Sequence, residues 1–427
     1  MRAVRRAPRR AACVVFALGA LLAGCGTTGT VQGGNDAFSA TTLTVYSDLP
    51  LLGADPAVAA SIFNGEVLAL YNAGGHVGRL HVSIDSLNDS AEVPITGASH
   101  TAQTALSAHA ASSDLSTVAY IGDMDSAATA LSLPANNEND VLQISPGSPY
   151  VGFTDANSVD YTGDPGRYYP NNSRTFARLV PSDVAEARAT VRYMRSLGVA
   201  RLAVLSDRSA PPHGDAAIAT LVAGDAPASA ITVAGRLAGI DTQSTGASPT
   251  DYAKIATAVA AQHPDAVLLG GTPDRGAIAL WNELHAMLPH AKLFAPSTLA
   301  TPTFLRGLGA ASGATYVTSP ILEPSQYPAA AQRVFAEYRR AFPGIALTPY
   351  ALYGYEAMHD VLLAIARAGS RAANRPDLAT AFFHRLGVIH GTIGDYTIDA
   401  NGDTSLASFD GYRVSAAGQL VLVHRIS

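Results

Sequence analysis

The chain has 427 residues, 48% of them hydrophobic and 15% charged, with a formal net charge of −6. That length suits two domains with substantial cores, and an acidic chain without a basic stripe excludes an extended nucleic-acid surface. The two cysteines, Cys13 and Cys25, both precede the candidate folded part, which excludes disulfides, thiolate nucleophiles and thiolate metal sites there.

Residues 1–24 open with Arg2, Arg5, Arg6, Arg9 and Arg10 and continue as an apolar run from Ala11 to Leu22. The run is shorter than the roughly 20 residues a membrane-spanning helix needs, so it reads as a signal peptide. Leu22-Ala23-Gly24-Cys25 sets small residues ahead of a cysteine, the pattern of a bacterial lipobox. Cleavage there makes Cys25 a lipid-bearing N-terminus and places the protein outside the cytoplasm, held to a membrane surface. Residues 25–40 are rich in Gly, Thr and small side chains and read as a flexible tether.

Beyond the tether, short β-type runs alternate with helical patterns. Thr42–Ser47 is the first strand. Asp55-Pro56 supplies a cap and a helix-start proline, and that helix runs to Asn72 before Gly74-Gly75. Strands follow at Leu80–Ile84, Val118–Ile121 and Val141–Ile144, with a helix from Ser126 between the last two. Pro181-Ser182-Asp183 caps a helix that ends at Leu197-Gly198. Arg201–Ser206, Ile231–Ala234, Ala266–Gly270 and Lys292–Ala295 are strands with helices between them. This alternation predicts an α/β fold of parallel sheets covered by helices, and two such sets predict two lobes. The end departs from the rhythm: a long helix over Pro349–Gly369, a shorter one over Asp377–Leu386, a strand at Gly394–Ile398, and a hairpin of Ser408–Val414 with Gln419–Arg425.

The usual signatures of chemistry are missing. There is no G-x-x-x-x-G-K-[ST] phosphate loop, no G-x-G-x-x-G and no G-x-S-x-G nucleophile elbow. The 12 histidines show no H-E-x-x-H or H-x-H spacing. The sequence therefore points to binding without catalysis, with no metal and no cofactor expected.

Several stretches, in order, resemble the periplasmic-binding-protein type I fold, and within it the branched-chain amino-acid-binding proteins of ABC transporters. They are Phe63-Asn64-Gly65 through Asn72-Ala73-Gly74-Gly75, Ile121-Gly122 followed by Ser126, and Ile144-Ser145-Pro146. Val180-Pro181-Ser182-Asp183, Pro264-Asp265-Ala266-Val267 with Gly270-Gly271, Tyr353-Gly354-Tyr355-Glu356-Ala357 and Gly394-Asp395-Tyr396 complete the series. The resemblance implies two α/β lobes joined by a three-strand hinge, with a ligand cleft between them. Lobe 1 would be 41–179 and 320–404, and lobe 2 would be 180–319 and 405–427.

In open parallel sheets, ligands sit beyond the carboxyl ends of the strands. The loops after Ser47, Ile121, Ile144, Ser206, Gly271 and Ala295 would therefore line the cleft. Ser126 opens a helix, where a hydroxyl and backbone N–H groups can receive a carboxylate or carbonyl, and the family uses a serine there. Gly147 and Ser148 stand where the family contacts ligand, although its threonine position is Pro149 here. In lobe 2, His213 and Thr272 stand where a tyrosine is common, and Ser297 where the amino-acid binders carry a glutamate that pairs with the ligand's ammonium. Asp48 and Asp125 can supply negative charge instead. Without that glutamate the cleft reads as hydroxyl-rich and uncharged.

The resemblance implies a lipid-anchored substrate-binding protein of an ABC importer. It would act as a monomer, take a small polar solute (amino-acid-like, amide or carboxylate) and present it to permease subunits in the membrane. A ligand-sensing receptor signalling to a membrane partner is the alternative.

Overall fold

A computed structural model of the chain describes residues 42–426, except 54, 91–99, 157–162, 208–213, 243–248, 272 and 274. The signal peptide, Cys25, the tether, His213 and Thr272 lie outside the described residues. Ala40–Ser427 form one compact unit.

The N-terminal part alternates strand and helix: β1 (Thr42–Asp48), α1 (Pro56–Asn72), β2 (His76–Val77), β3 (Leu80–Leu87), α2 (His100–Ser113), β4 (Thr117–Ile121), α3 (Ser126–Glu138), β5 (Leu142–Ser145) and β6 (Phe176–Arg178). Among the described residues these strands form a six-stranded sheet in the order β2-β3-β1-β4-β5-β6, parallel except for the β2–β3 pair. The chain continues through α4 (Asp183–Ser196), β7 (Arg201–Asp207), α5 (Gly214–Asp225), β8 (Thr232–Ile240), α6 (Pro249–Ala260), β9 (Ala266–Gly270), α7 (Arg275–Met287), β10 (Lys292–Ala295), α8 (Pro302–Gly307) and β11 (Thr315–Ser319). It returns to the first sheet as α9 (Ala329–Ala341), α10 (Tyr350–Ala368), α11 (Arg375–Arg385) and a ribbon of β12 (Ile389–Gly391) and β13 (Gly394–Tyr396). It ends in the hairpin β14 (Phe409–Val414) and β15 (Leu420–Ile426). The second sheet has the order β15-β14-β11-β10-β9-β7-β8. The molecule is thus a two-lobed α/β fold with mostly parallel sheets, and the chain passes three times between the lobes.

Alternation along the strands fixes which helices each sheet carries. In the second lobe, Leu202 and Val204 pack with α4 and α5, while Ala203 and Leu205 pack with α6 and α7. Strands covered on both faces read as near-continuous apolar runs, as Val118–Ile121 does. In the first lobe, α1, α9, α10 and α11 share one core with Leu43, Val45, Ile121 and Ile144. The family-like glycines have a packing reason. A Cβ on Gly65 would stand 2.1 Å from the Ala351 carbonyl oxygen, and one on Gly354 would stand 2.0 Å from that of Ile62. These glycines let α1 and α10 cross backbone to backbone.

Three local expectations change. Strands β6 and β11 were not legible, because a three-residue strand and a polar Thr-Tyr-Val-Thr-Ser run carry little period-2 signal. Ser182 sits at the start of α4 but makes no side-chain cap bond. Asp55 makes none to α1 either; its carboxylate is turned toward the other lobe.

Candidate functional site

The elements that follow strand carboxyl ends in one lobe touch those that follow them in the other. Asp55, after β1, accepts from Thr303 of α8 through the hydroxyl at 2.9 Å and the N–H at 3.4 Å, with the Arg306 guanidinium at 3.5 Å. Ala217 of α5, after β7, packs with Ala130, Leu133, Tyr150, Phe153 and Phe176 of the first lobe. The lobes are therefore closed on one another along the strand ends.

The first-lobe wall consists of two adjoining loops. After β4, Asp125 caps α3, its Oδ1 accepting the Ala128 N–H at 2.8 Å. Ser126 is buried, and its hydroxyl accepts the Tyr150 N–H at 3.3 Å. After β5, the Ser145 hydroxyl donates to the Asp123 carbonyl at 2.6 Å and accepts the N–H groups of Gly147 and Ser148. Gly147 must be glycine because a Cβ would stand 2.3 Å from the Met124 carbonyl oxygen. Ser148 lies behind the wall, buried, with its hydroxyl 2.5 Å from that of Thr129.

Deeper still, the Tyr120 hydroxyl lies 2.8 Å from Asp48 and 2.9 Å from Asp123. One phenol has one proton to give. Burial and the Asp48 charge push the Asp123 carboxyl well above its usual range, so the cluster holds protons. Ser47 points toward Glu66, whose carboxyl burial raises to about 8 against the opposing pull of the Ser47 hydroxyl.

Arg178 organises this wall, and the sequence reading did not single it out. It is fully buried at the end of β6. Its guanidinium donates to the carbonyls of Ser148 at 3.2 Å and Tyr150 at 2.8 Å and to the Thr154 hydroxyl at 2.6 Å. It pairs with Asp403 at 2.7 Å. A planar fork of donors suits such a convergence of oxygens. One arginine in a three-residue apolar strand was the only available signal.

The second-lobe wall holds a carboxylate where none was expected. Ser297 donates through both its N–H and its hydroxyl, each at 2.6 Å, to Glu186 of α4. Glu186 is buried, and desolvation raises its carboxyl to about 7 against the pull of those two bonds. Tyr350, at the start of α10 in the first lobe, has its phenol pushed up by burial and then by the Glu186 charge, which places the carboxylate near the junction of the lobes. At neutral pH such a carboxyl is both acid and base: ionised it pairs with an ammonium, protonated it donates to a carboxylate. The sequence placed Glu186 in the first turn of a capped helix and gave no sign that tertiary packing would bury it against Ser297.

Of the sequence candidates, Asp125, Ser126 and Gly147 come together on the two loops of the first wall. Ser148 is correctly placed on the second loop, but its hydroxyl is buried against Thr129 behind the wall; Asp48 lies behind them, Ser47 beneath, and Ser297 on the opposite wall.

The family model described as periplasmic binding protein matches residues 97–419. No curated protein matches the sequence. A leucine-binding protein from Thermotoga maritima superposes with a TM-score of 0.71 at 19% identity, covering 90% of this chain and 98% of that one. An ABC transporter substrate-binding protein from Desulfitobacterium hafniense in complex with Leu gives 0.69 at 19%, covering 90% and 100%. An ABC transporter solute-binding protein from R. palustris in complex with 4-hydroxybenzoate gives 0.70 at 13%, covering 90% and 96%. These likenesses establish the fold. Among the described residues, no helix is long and apolar enough to cross a membrane.

Proposed function

The chain belongs to the periplasmic binding protein family, and from that premise we propose that it is the extracytoplasmic solute-binding component of an ABC importer, anchored through lipid on Cys25. Its lobes, 41–179 with 320–404 and 180–319 with 405–427, close about the three chain passages on a small carboxylate-bearing solute. The N-terminal end of α3 with Ser126 receives the carboxylate, and Ser297 with Glu186 meets the opposite end of the ligand. The sequence candidates His213 and Thr272 are further ligand contacts on this reading.

The observation that carries this reading is contact between the lobes along their strand ends, at Asp55–Thr303 and at Ala217. A ligand that binds both walls favours the closed arrangement by its differential affinity for it, which is all the work such a protein has to do. Leu and 4-hydroxybenzoate, the molecules held by two of the similar proteins, share a carboxylate and differ in the ammonium. A second wall whose carboxyl titrates near neutrality accommodates either.

Native mass spectrometry of the processed protein tests the proposal. It should show diacyl mass on Cys25 and one small molecule that is released unchanged on unfolding. With the Ala40–Ser427 chain, leucine or 4-hydroxybenzoate should raise the melting temperature by mass action, with micromolar affinity corresponding to about 8 kcal/mol. Chemical conversion of the bound molecule, or no stabilisation by any small carboxylate together with no co-purified solute, overturns the binding reading.

A further inference from the structure

Away from the strand ends that frame the cleft, α10 carries Glu356, His359 and Asp360 at i, i+3 and i+4, the spacing that sets three side chains on one helical face. The β12–β13 ribbon lies over this face. Thr392, in its turn, donates to Glu356 Oε1 through its N–H at 2.6 Å and its hydroxyl at 2.5 Å. The Tyr396 hydroxyl bridges Glu356 Oε2 at 3.1 Å and Asp360 Oδ2 at 2.8 Å. The ribbon is so close that a Cβ on Gly391 would stand 2.4 Å from Glu356 Oε2.

These bonds leave three ligand-type atoms converging on one another. His359 Nδ1 stands 3.6 Å from Asp360 Oδ1 and 3.8 Å from Glu356 Oε2, and all three lie within 4.8 Å of one another. Such separations are too long for hydrogen bonds. Asp360 Oδ1, on a fully buried carboxylate, has no hydrogen-bond partner, and neither has His359 Nδ1. Donors bound at about 2.0–2.2 Å to one metal ion stand roughly 3 to 3.5 Å apart, so the two separations from His359 are already close to that spacing, and the two carboxylate oxygens, within 4.8 Å of one another, would draw in on the ion. His359, with 34% of its side chain exposed, opens the cluster to solvent.

We propose that Glu356, His359 and Asp360 bind one divalent first-row cation, which clips the β12–β13 ribbon to α10. One imidazole and two carboxylates suit Zn²⁺ or Mn²⁺. Thr392 and Tyr396 would orient the carboxylates as outer partners, as hydrogen bonds to metal-bound carboxylates commonly do. Glu-x-x-His-Asp on a single helix lacks the paired-histidine spacing that marks a metal site in sequence. The competing arrangement is a buried ion pair that contains no metal.

Calorimetric titration of chelator-stripped protein with Zn²⁺, and separately with Mn²⁺, tests the proposal. One equivalent should bind at micromolar affinity or tighter, raise the melting temperature, and slow hydrogen exchange at the Thr392 amide. Binding should weaken at least tenfold in His359→Ala, whose side chain is partly exposed, and in Asp360→Asn, which keeps the shape that meets Tyr396. The proposal is overturned if neither metal saturates the wild type at one equivalent. It is equally overturned if His359→Ala binds as tightly as wild type, since the metal would then sit on another histidine. The cleft is not involved, so failure here leaves the solute-binding reading intact.

Discussion

In the first lobe the buried charge beside the cleft is a guanidinium, Arg178, met by the Asp403 carboxylate and three further oxygens. In the second lobe it is a carboxylate, Glu186, met by one serine. A guanidinium keeps its charge at any relevant pH, so the first wall is a fixed frame that holds the 148–154 segment in place. Hydrogen bonds alone offset only part of the cost of burying an ionised carboxylate, and Glu186 sits at about 7 in consequence. The Arg178 frame is therefore static, whereas Glu186 on the facing wall titrates near neutrality, and on the proposed function it is Glu186 that would meet the charge of the ligand.

Arg178→Met should break this contrast most severely. It takes the guanidinium from Asp403 and from the Ser148 and Tyr150 carbonyls, leaving Asp403 the Thr154 hydroxyl at 3.2 Å, and removal of one member of a buried pair costs about 3 to 5 kcal/mol. Asp403 keeps 30% of its side chain exposed, which places the expected loss near the lower end of that range. Chemical denaturation should show it. A loss below about 1 kcal/mol, with ligand affinity unchanged, would mean that the first wall does not depend on this residue.

The second wall should reveal itself through pH. Glu186 has a folded-state value of about 7 against a reference of 4.5. Between those values the native state holds more protons than the unfolded one, so stability contributed here falls as pH rises from about 4.5 to about 7 and is level above that. A shift of that size corresponds to about 3 kcal/mol. Glu66, raised to about 8 from the same reference, adds a parallel fall over a window reaching about 8. Glu186→Gln should make the fall between about pH 4.5 and 7 shallower and leave the Glu66 part, which continues to about pH 8, intact. Denaturation midpoints measured from pH 4.5 to 9 decide this: parallel profiles for variant and wild type would place the Glu186 carboxyl in a solvated environment.

The same contrast marks what the sequence could and could not tell. The two-lobed plan was legible because β-type runs, capped helices and turn glycines repeat along the chain, and because motifs such as Asn64-Gly65 and Tyr353-Gly354 mark a helix crossing that glycines permit. The first-wall loops were legible through Ile121-Gly122 and Ile144-Ser145-Pro146. The second wall was not. Its carboxylate comes from a helix distant in sequence, and only tertiary packing brings Glu186 to Ser297. Arg178 was missed for a related reason: local pattern cannot distinguish a guanidinium buried among carbonyls from one at the surface.

The smallest expected effect concerns the contact that joins the two walls. Asp125 and Asp55 both precede helices, yet only Asp125 caps one. Asp55 spends its carboxylate on Thr303 across the cleft, with the largely exposed Arg306 guanidinium alongside. Asp55→Ala therefore removes no cap bond from α1, and the ligand-free melting temperature should hardly move. It does remove a partly buried charge-assisted hydrogen bond that exists only when the lobes are closed, a loss of about 1 kcal/mol. Because apparent affinity scales with the population of the binding-competent state, a solute should bind about fivefold more weakly. Small-angle scattering should also show a more extended ligand-free ensemble. Calorimetry beside thermal melting separates the two roles: unchanged affinity with a lowered melting temperature would make Asp55 an ordinary helix cap and remove it from the closure of the cleft.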